Sequence, residues 1–249
     1  MSEQGICSRR EADTYIEQGL VLVDGEVVSE LGARAYPNQK IELKKAAVAQ
    51  QAKRYTILLN KPVGYISHYD EDRDYKPAAS LITPDNQFAH PLTTNLPGKF
   101  NTRGLAPAGR LDIDSSGLLV LTQDGRIAKL LIGENSPIEK EYLVRVEGSL
   151  SAEGLRLLNH GLKLDGDALK PAKVGWQNQD QLRFVLKEGK KRQIRRMCEA
   201  VGHPVIRLVR VRIGPIRDTK LRPGEWRELS LDEVRQLTAS AAPRGRSRF

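Results

Sequence analysis

Two carboxylates and an arginine lie within five residues of one another in Gly109-Arg-Leu-Asp-Ile-Asp-Ser-Ser-Gly117, directly ahead of the apolar run Leu118-Leu-Val-Leu121. A polar loop at the mouth of a buried strand can present reactive groups to a ligand while the strand holds them still. Asp112 is the foremost candidate for chemistry, with Asp114 beside it. As an acid and base pair they suit glycosyl transfer or hydrolysis; as oxygen ligands they suit a divalent ion in a nuclease. Asp and Ser ahead of Gly also form turns by bonding their own backbone, and from the loop alone both aspartates fit that role.

Other chemistries lack their residues. There is no Gly-x-x-x-x-Gly-Lys-Ser/Thr loop, no Gly-x-Gly-x-x-Gly fingerprint and no Gly-x-Ser-x-Gly elbow. His68, His90, His160 and His203 have no metal-ligand or triad spacing, which leaves carboxylate chemistry beside a basic surface. Cys7 and Cys198 cannot make a disulfide framework, which fits a reducing, cytoplasmic setting. No run of 18 apolar residues and no charged-then-apolar leader is present, so no membrane association is expected.

The net charge of +9 is unevenly placed. Residues 1–53 hold 7 basic and 8 acidic side chains, whereas residues 183–227 hold 14 basic and 4 acidic, a balance of +10. Such a concentration, with a further basic tail from Arg244 to Arg248, points to a polyanionic partner.

The elements that must position these groups are readable in part. Ser8-Arg-Arg-Glu11 has the spacing of a capping box, predicting a helix to about residue 18. A hairpin over 20–27 turning at Asp24-Gly25 and a strand over 40–43 follow. Residues 46–53 read as a connector, and 56–60 as a buried strand ending in Lys61-Pro-Val-Gly64. Residues 67–107 form a long polar stretch with five prolines, which marks functional or disordered chain. Strands are predicted at 118–121, 141–146, 172–174, 182–186 and 205–213, and helices at 126–132, 151–158 and 229–239. The sharpest helical period is Ile194, Met197, Cys198 and Val201, closed by Gly202. Arg192, Arg195 and Arg196 then fall on the opposite, outward side, and alternation places Arg210 and Arg212 on one side of a strand. Strands and helices do not alternate as in a doubly wound fold, so the expected class is α+β with a mixed, mainly antiparallel sheet.

Gly5-Ile-Cys-Ser-Arg-Arg-Glu-Ala-Asp13, Val23-Asp-Gly25 and Ile41-Glu-Leu43 resemble the αL motif of the bacterial small-subunit ribosomal protein four, a module that binds structured RNA. The resemblance implies that Arg9 and Arg10 face phosphate. The family module has another helical turn or two before Gly5, so the natural chain is expected to begin upstream of Met1. The remaining chain resembles the RsuA-type ribosomal RNA pseudouridine synthases. The resemblance rests on Leu59-Asn-Lys-Pro-Val-Gly64, the loop and strand 109–125, Glu139-Lys-Glu-Tyr142, Gly189-Lys-Lys-Arg-Gln-Ile-Arg-Arg-Met197 and Arg207-Leu-Val-Arg-Val-Arg-Ile213, in that order. The run Arg192-Gln-Ile-Arg-Arg-Met-Cys-Glu199 is most similar to the large-subunit, RluF-type branch.

That resemblance implies an αL unit over 1–45, a linker over 46–53, a catalytic domain over 54–240 and a disordered tail over 241–249. It implies that Asp112 is the nucleophile in isomerising a uridine of ribosomal RNA, free or in an assembly intermediate, to pseudouridine. Direct attack at C1′ and a glycal route both fit. Tyr142 would pack on the base and serve proton transfer, and Arg195 would pair with Asp112. Asp114 would then be a turn former. Arg110, Lys61, Arg192, Arg196, Arg210 and Arg212 would contact RNA, in a monomer without cofactor. A non-catalytic RNA-binding protein on the same scaffold and a metal-dependent nuclease are the alternatives.

Overall fold

Ser8 and Glu11 cap one another as their spacing predicts: Ser8 Oγ accepts from the Glu11 N–H, and the Glu11 carboxylate accepts from the Ser8 N–H. The computed structural model describes residues 1–68, 75–88, 102–133, 136–160 and 162–241. Helix α1 (Arg9–Glu17) follows this cap and buries Tyr15 against Cys7, Val21 and Ala47. Strand β1 (Val21–Val23) pairs antiparallel with both β2 (Glu26–Val28) and β3 (Ile41–Leu43). Asp24 and Gly25 make the two-residue turn with φ of 51° and 89°, as a tight hairpin requires. The connector is helical: α2 (Lys45–Ala52) is rich in Ala and Gln, good helix formers. It buries Ala47 in the N-terminal core, and its Gln51 donates to the Ile6 carbonyl at 3.0 Å. Arg54 then reaches back to pair with Glu11 and to donate to the Tyr15 hydroxyl.

The larger part of the chain is built on one sheet. In chain order its elements are β4 (Thr56–Lys61), β5 (Ala106–Pro107), β6 (Ser116–Thr122), α3 (Gly125–Ile132), β7 (Lys140–Val146) and α4 (Ala152–Asn159). A two-stranded ribbon of β8 (Lys163–Leu164) and β9 (Asp167–Ala168) precedes β10 (Lys173–Trp176), β11 (Gln181–Leu186), α5 (Gln193–Ala200) and β12 (Val205–Ile213). The chain continues with β13 (Ile216–Arg217), β14 (Trp226–Glu228) and α6 (Leu231–Ala241). The sheet order is β10-β11-β7-β12-β6-β4-β14, with β5 on β6 and β13 on β12. Among the strand pairs of the described residues only β12 against β6 is parallel, so the sheet is mixed and mainly antiparallel.

Alternation along β4 and β6 sends Leu58, Leu118 and Val120 to one face, where α3 and α6 contribute Ile127, Leu131 and Leu237. Ile57, Leu59, Leu119 and Leu121 face the other side with Tyr142, Val144 and the α5 residues Ile194, Met197 and Cys198. Burial pushes the Cys198 thiol up to about 12, as suits packing. The parallel join depends on Gly117 at φ 109°, whose α-carbon lies against the Arg210 backbone.

Three sequence expectations are corrected here. Arg210 and Arg212 do not share a side of β12. A bulge lets Arg210 pair with Tyr142 and Arg212 with Glu141, adjacent residues of β7, so the two arginines leave by opposite faces. Arg195 does not share the outward side of α5; it is 6% exposed and turns inward. The helix predicted over 229–239 forms as α6 but begins at Leu231, after an unpredicted edge strand, β14, that pairs with β4. The acidic run 70–74, residues 89–101 and the basic tail lie outside the described residues.

Glu141 is buried and receives Arg183 at 2.9 and 3.0 Å, Arg212 at 2.7 Å and Arg217 at 2.9 Å. The Arg183 hydrogen bonds, with Arg212 and Arg217, outweigh burial and hold its carboxyl at about 2, below its ordinary 4.5. A carboxyl depressed on folding stabilises the protein above its unfolded value and loses that contribution as pH falls from 4.5 towards 2. Glu141→Gln is expected to cost about 3 kcal/mol at pH 7 and to flatten the acid limb of stability. Urea unfolding of both proteins at pH 7, 4.5 and 3 measures this. Parallel curves would contradict it.

Candidate active site

Asp112 lies on the turn between Ala108 and β6, where Ser115 N–H donates to the Asp112 carbonyl at 3.1 Å. It is half-buried at the wall of a cavity of about 450 Å³. The cavity is of ligand-binding size. Tyr142, Leu186, Ile194 and Leu208 give it an apolar side; Arg110, Lys187, Lys190, Lys191 and Arg192 give it a cationic one. Arg195, Arg210, Lys140 and His68 complete the lining that matters for charge. Residues from 68 to 210 converge on this cavity, Lys140, Tyr142, Leu186, Leu208 and Arg210 from the neighbouring strands β7, β11 and β12 and the others from helices and loops.

Arg195 is placed beside Asp114, not Asp112. Its Nε lies 3.2 Å from the Asp114 carboxylate, and its terminal nitrogens donate to Asp114 O at 2.8 Å, Ser115 Oγ at 3.2 Å and Val205 O at 3.3 Å. Arg192 donates to the same carboxylate at 3.1 and 3.3 Å. Asp114 is thus no bare turn former: burial opposes its ionisation, but Arg192 and Arg195 hold its carboxyl below the usual range. The correction has a steric origin. Arg192 takes φ 52° at the start of α5, which swings its side chain back towards the loop, and Asp114 lies between it and Arg195.

Tyr142 is nearly buried in the β7 pleat, with its ring under the Arg210 guanidinium at 6.0 Å. Arg210 is 5% exposed and donates to Leu118 O at 2.6 Å and Arg110 O at 3.2 Å. It ties the loop of Asp112 to the sheet, its guanidinium engaged within the protein. Arg212 is likewise engaged by Glu141 and Glu139. Lys61 is 0% exposed and donates to Pro62 O at 2.9 Å and Tyr65 O at 2.8 Å. Burial, then Arg210, pulls it down to about 8 against the pull of Asp112 and Asp114. It braces the turn to Gly64 from within. Arg110 is exposed at the cavity rim, and Arg196 pairs with Asp165 at 2.6 Å while remaining partly exposed. Arg9 and Arg10 are exposed on the first turn of α1.

Two cavity residues had no signal in the sequence. Lys140 donates to Leu131 O at 2.8 Å and is held at about 8, by burial first and Arg210 second. His68 is lowered by burial and by Arg110. A third, Ser67, lies behind the loop: its Oγ donates to Leu111 O at 2.7 Å and accepts from Leu111 N–H at 2.8 Å. Among the described residues no three His, Cys, Asp or Glu side chains come together at metal-binding range. No helix among the described residues is long and apolar enough to cross a membrane.

Asp112 and Tyr142 thus line one cavity with a cationic rim, in a chain whose first part is a small helix-and-hairpin unit. Residues 55–200 match the model for RNA pseudouridylate synthases and residues 1–40 that for the S4 domain. The chain belongs to the RNA pseudouridylate synthase family. It is 35% identical over 247 residues to the ribosomal large subunit pseudouridine synthase B of Bacillus subtilis (strain 168), covering 97% of this chain and 94% of that one. It is 34% identical over 240 residues to the dual-specificity RNA pseudouridine synthase RluF of Escherichia coli (strain K12), covering 95% and 76%. A solved pseudouridylate synthase aligns with a TM-score of 0.64 at 26% identity, over 95% of this chain and 96% of that one.

Proposed function

We propose that the protein converts a uridine of ribosomal RNA, in the large subunit, to pseudouridine, with Asp112 as the nucleophile. The observation that carries this is the placement of the Asp112 carboxylate and the Tyr142 ring on one cavity with a cationic rim. The names of the relatives support the substrate. The carboxylate acts at the ribose as the bond from C1′ to N1 breaks; the uracil turns within the slot and rejoins through C5, which gives up its proton. Tyr142 supports the turning base by its face; its hydroxyl can relay the proton, passing its own on as it takes the one from C5, and N1 gains a proton in exchange. Arg195 acts on the carboxylate's surroundings through Asp114. Arg110 at the rim holds the phosphate of the extruded nucleotide. An N-terminal unit over 1–45, joined by 46–53 to a catalytic domain over 54–240, grips structured RNA through Arg9 and Arg10. In this reading the protein works as a monomer in the cytoplasm, on free RNA or an assembly intermediate.

Pseudouridine mapping of ribosomal RNA from cells with and without the protein tests this, together with assay of the purified protein in a chelator. Loss of one large-subunit site, and product in the chelator, are the expected results. Strand scission that needs added magnesium would instead support a nuclease. Binding without product would support a non-catalytic scaffold. Arg192 and Arg196 serve the RNA backbone after exchanging Asp114 and Asp165 for phosphate. Arg196→Ala is expected to weaken RNA binding and to reduce its slope against log salt by about one, in a salt titration of binding.

A further inference from the structure

We propose that Ser67 is a positioning residue for Asp112, acting through the backbone of Leu111. This rests on the reading of Asp112 as nucleophile. Ser67 is 5% exposed and its hydroxyl is used twice, donating to Leu111 O at 2.7 Å and accepting from Leu111 N–H at 2.8 Å. Both partners belong to the residue just before Asp112, and the Leu111 carbonyl is part of the peptide plane that carries the Asp112 nitrogen. Fixing that plane fixes the direction in which the Asp112 side chain leaves the loop. A hydroxyl is suited to this because it donates and accepts at one atom.

The clamp is anchored on both sides. Lys61 Nζ holds Pro62 O and Tyr65 O, and Gly64 N–H donates to Ile113 O at 2.8 Å, one residue past Asp112. Ile66 is tied to the next segment through Lys76 O at 3.1 Å and the Ala78 N–H at 2.7 Å. Arg210 on Arg110 O, Gly64 on Ile113 O and Arg195 on Asp114 O hold the loop on either side, while the Leu111 N–H and carbonyl are both held by Ser67, projecting from a fixed segment. Catalytic groups displaced by small distances lose rate steeply, whereas phosphate contacts at the rim tolerate such a shift. Ser67 should accordingly govern the chemical step and leave RNA affinity alone.

The test compares Ser67→Ala and Ser67→Thr with the unaltered full chain, using in vitro transcribed ribosomal RNA labelled with tritium at uracil C5. Tritium release in single turnover at saturating enzyme gives the rate of the isomerisation, and filter binding gives affinity. Ser67→Ala is expected to slow release 10- to 100-fold with affinity within twofold, on the order of the loss for misplaced catalytic groups. Ser67→Thr, which keeps the hydroxyl, is expected to recover to within about threefold of the unaltered rate. An unchanged rate in Ser67→Ala overturns the proposal, and so does a loss that Ser67→Thr does not relieve. If Ser67→Ala fails to fold, Ser67→Cys takes its place, since sulfur fills the site with a weak donor; a full rate there overturns the proposal too. Asp112→Asn run alongside separates the two readings. Activity in Asp112→Asn removes the nucleophile itself, whereas a dead Asp112→Asn with a fully active Ser67→Ala removes only the clamp.

Discussion

Asp112→Asn is expected to fold and to bind RNA as the unaltered protein does, while its rate of pseudouridine formation falls by about 10⁴-fold or more. The substitution keeps the shape and removes the negative charge. Among the described residues the Asp112 side chain takes part in no ion pair, and its backbone carbonyl, which Ser115 uses, is untouched. Stability should move by less than about 0.5 kcal/mol, as for a partly exposed polar site. The loss belongs to chemistry because an amide is a poor nucleophile and cannot balance positive charge developing on the ribose. Asp114→Asn provides the contrast. It leaves Arg192 and Arg195 facing a neutral group, so it should disturb both the loop and the rim, lowering rate and affinity together. Tritium release, filter binding and thermal unfolding on the three proteins distinguish these patterns, and undiminished product from Asp112→Asn would sink the mechanism.

Among the glycines of the described residues, Gly117→Ala should be the most damaging substitution. At φ 109° an L side chain is strained, and the added carbon would lie 2.2 Å from Arg210 O, 2.6 Å from Arg210 N and 2.9 Å from Arg210 C. These are backbone atoms of β12, the parallel partner of β6, and they cannot swing aside as a side-chain tip would. Relief requires parting the two strands, which also carries Arg210 off Tyr142 and off the Leu118 and Arg110 carbonyls. A cost of about 4 kcal/mol or more is expected, a large share of the stability of an ordinary domain. In a chain of this size it corresponds to a melting temperature lower by roughly 10 °C, or to insoluble protein. Thermal unfolding and the soluble fraction on expression check this, and a soluble variant melting with the parent would show that β6 and β12 can separate freely.

Local chemistry made much of the fold legible. The Ser8 and Glu11 cap, the Asp24-Gly25 turn, the alternation through Tyr142, Val144 and Val146, and the period from Ile194 to Val201 each depend on neighbours in sequence, and each formed. What stayed hidden depends on partners far along the chain. The bulge in β12 is set by its pairing with β7, so alternation alone puts Arg212 on the wrong side. Lys61 looks like a surface cation until the turn at Gly64 folds over it. Arg195 has its partner 81 residues earlier, and which of two aspartates it meets depends on how the loop and the start of α5 come together. The order of the motifs identified the carboxylate worth attention, whereas the pairing of Arg195 with Asp114 and of Ser67 with Leu111 emerges only from contacts.

The sheet order β10-β11-β7-β12-β6-β4-β14 seats the last strand to be synthesised beside the first strand of the catalytic sheet. On a translating ribosome the N-terminal unit, complete by β3 and α2, can therefore fold and grasp RNA early, whereas β4 must wait for roughly 165 residues before Trp226, Arg227 and Glu228 cover its edge. Until then Ile57, Leu58 and Leu59, all fully buried in the finished protein, present an open apolar margin of the kind that chaperones shield and that aggregates when unguarded. Catalytic competence consequently arrives late in the life of the nascent chain, and Arg227, locked between Asp218 and Glu233, serves as the closing latch of its assembly.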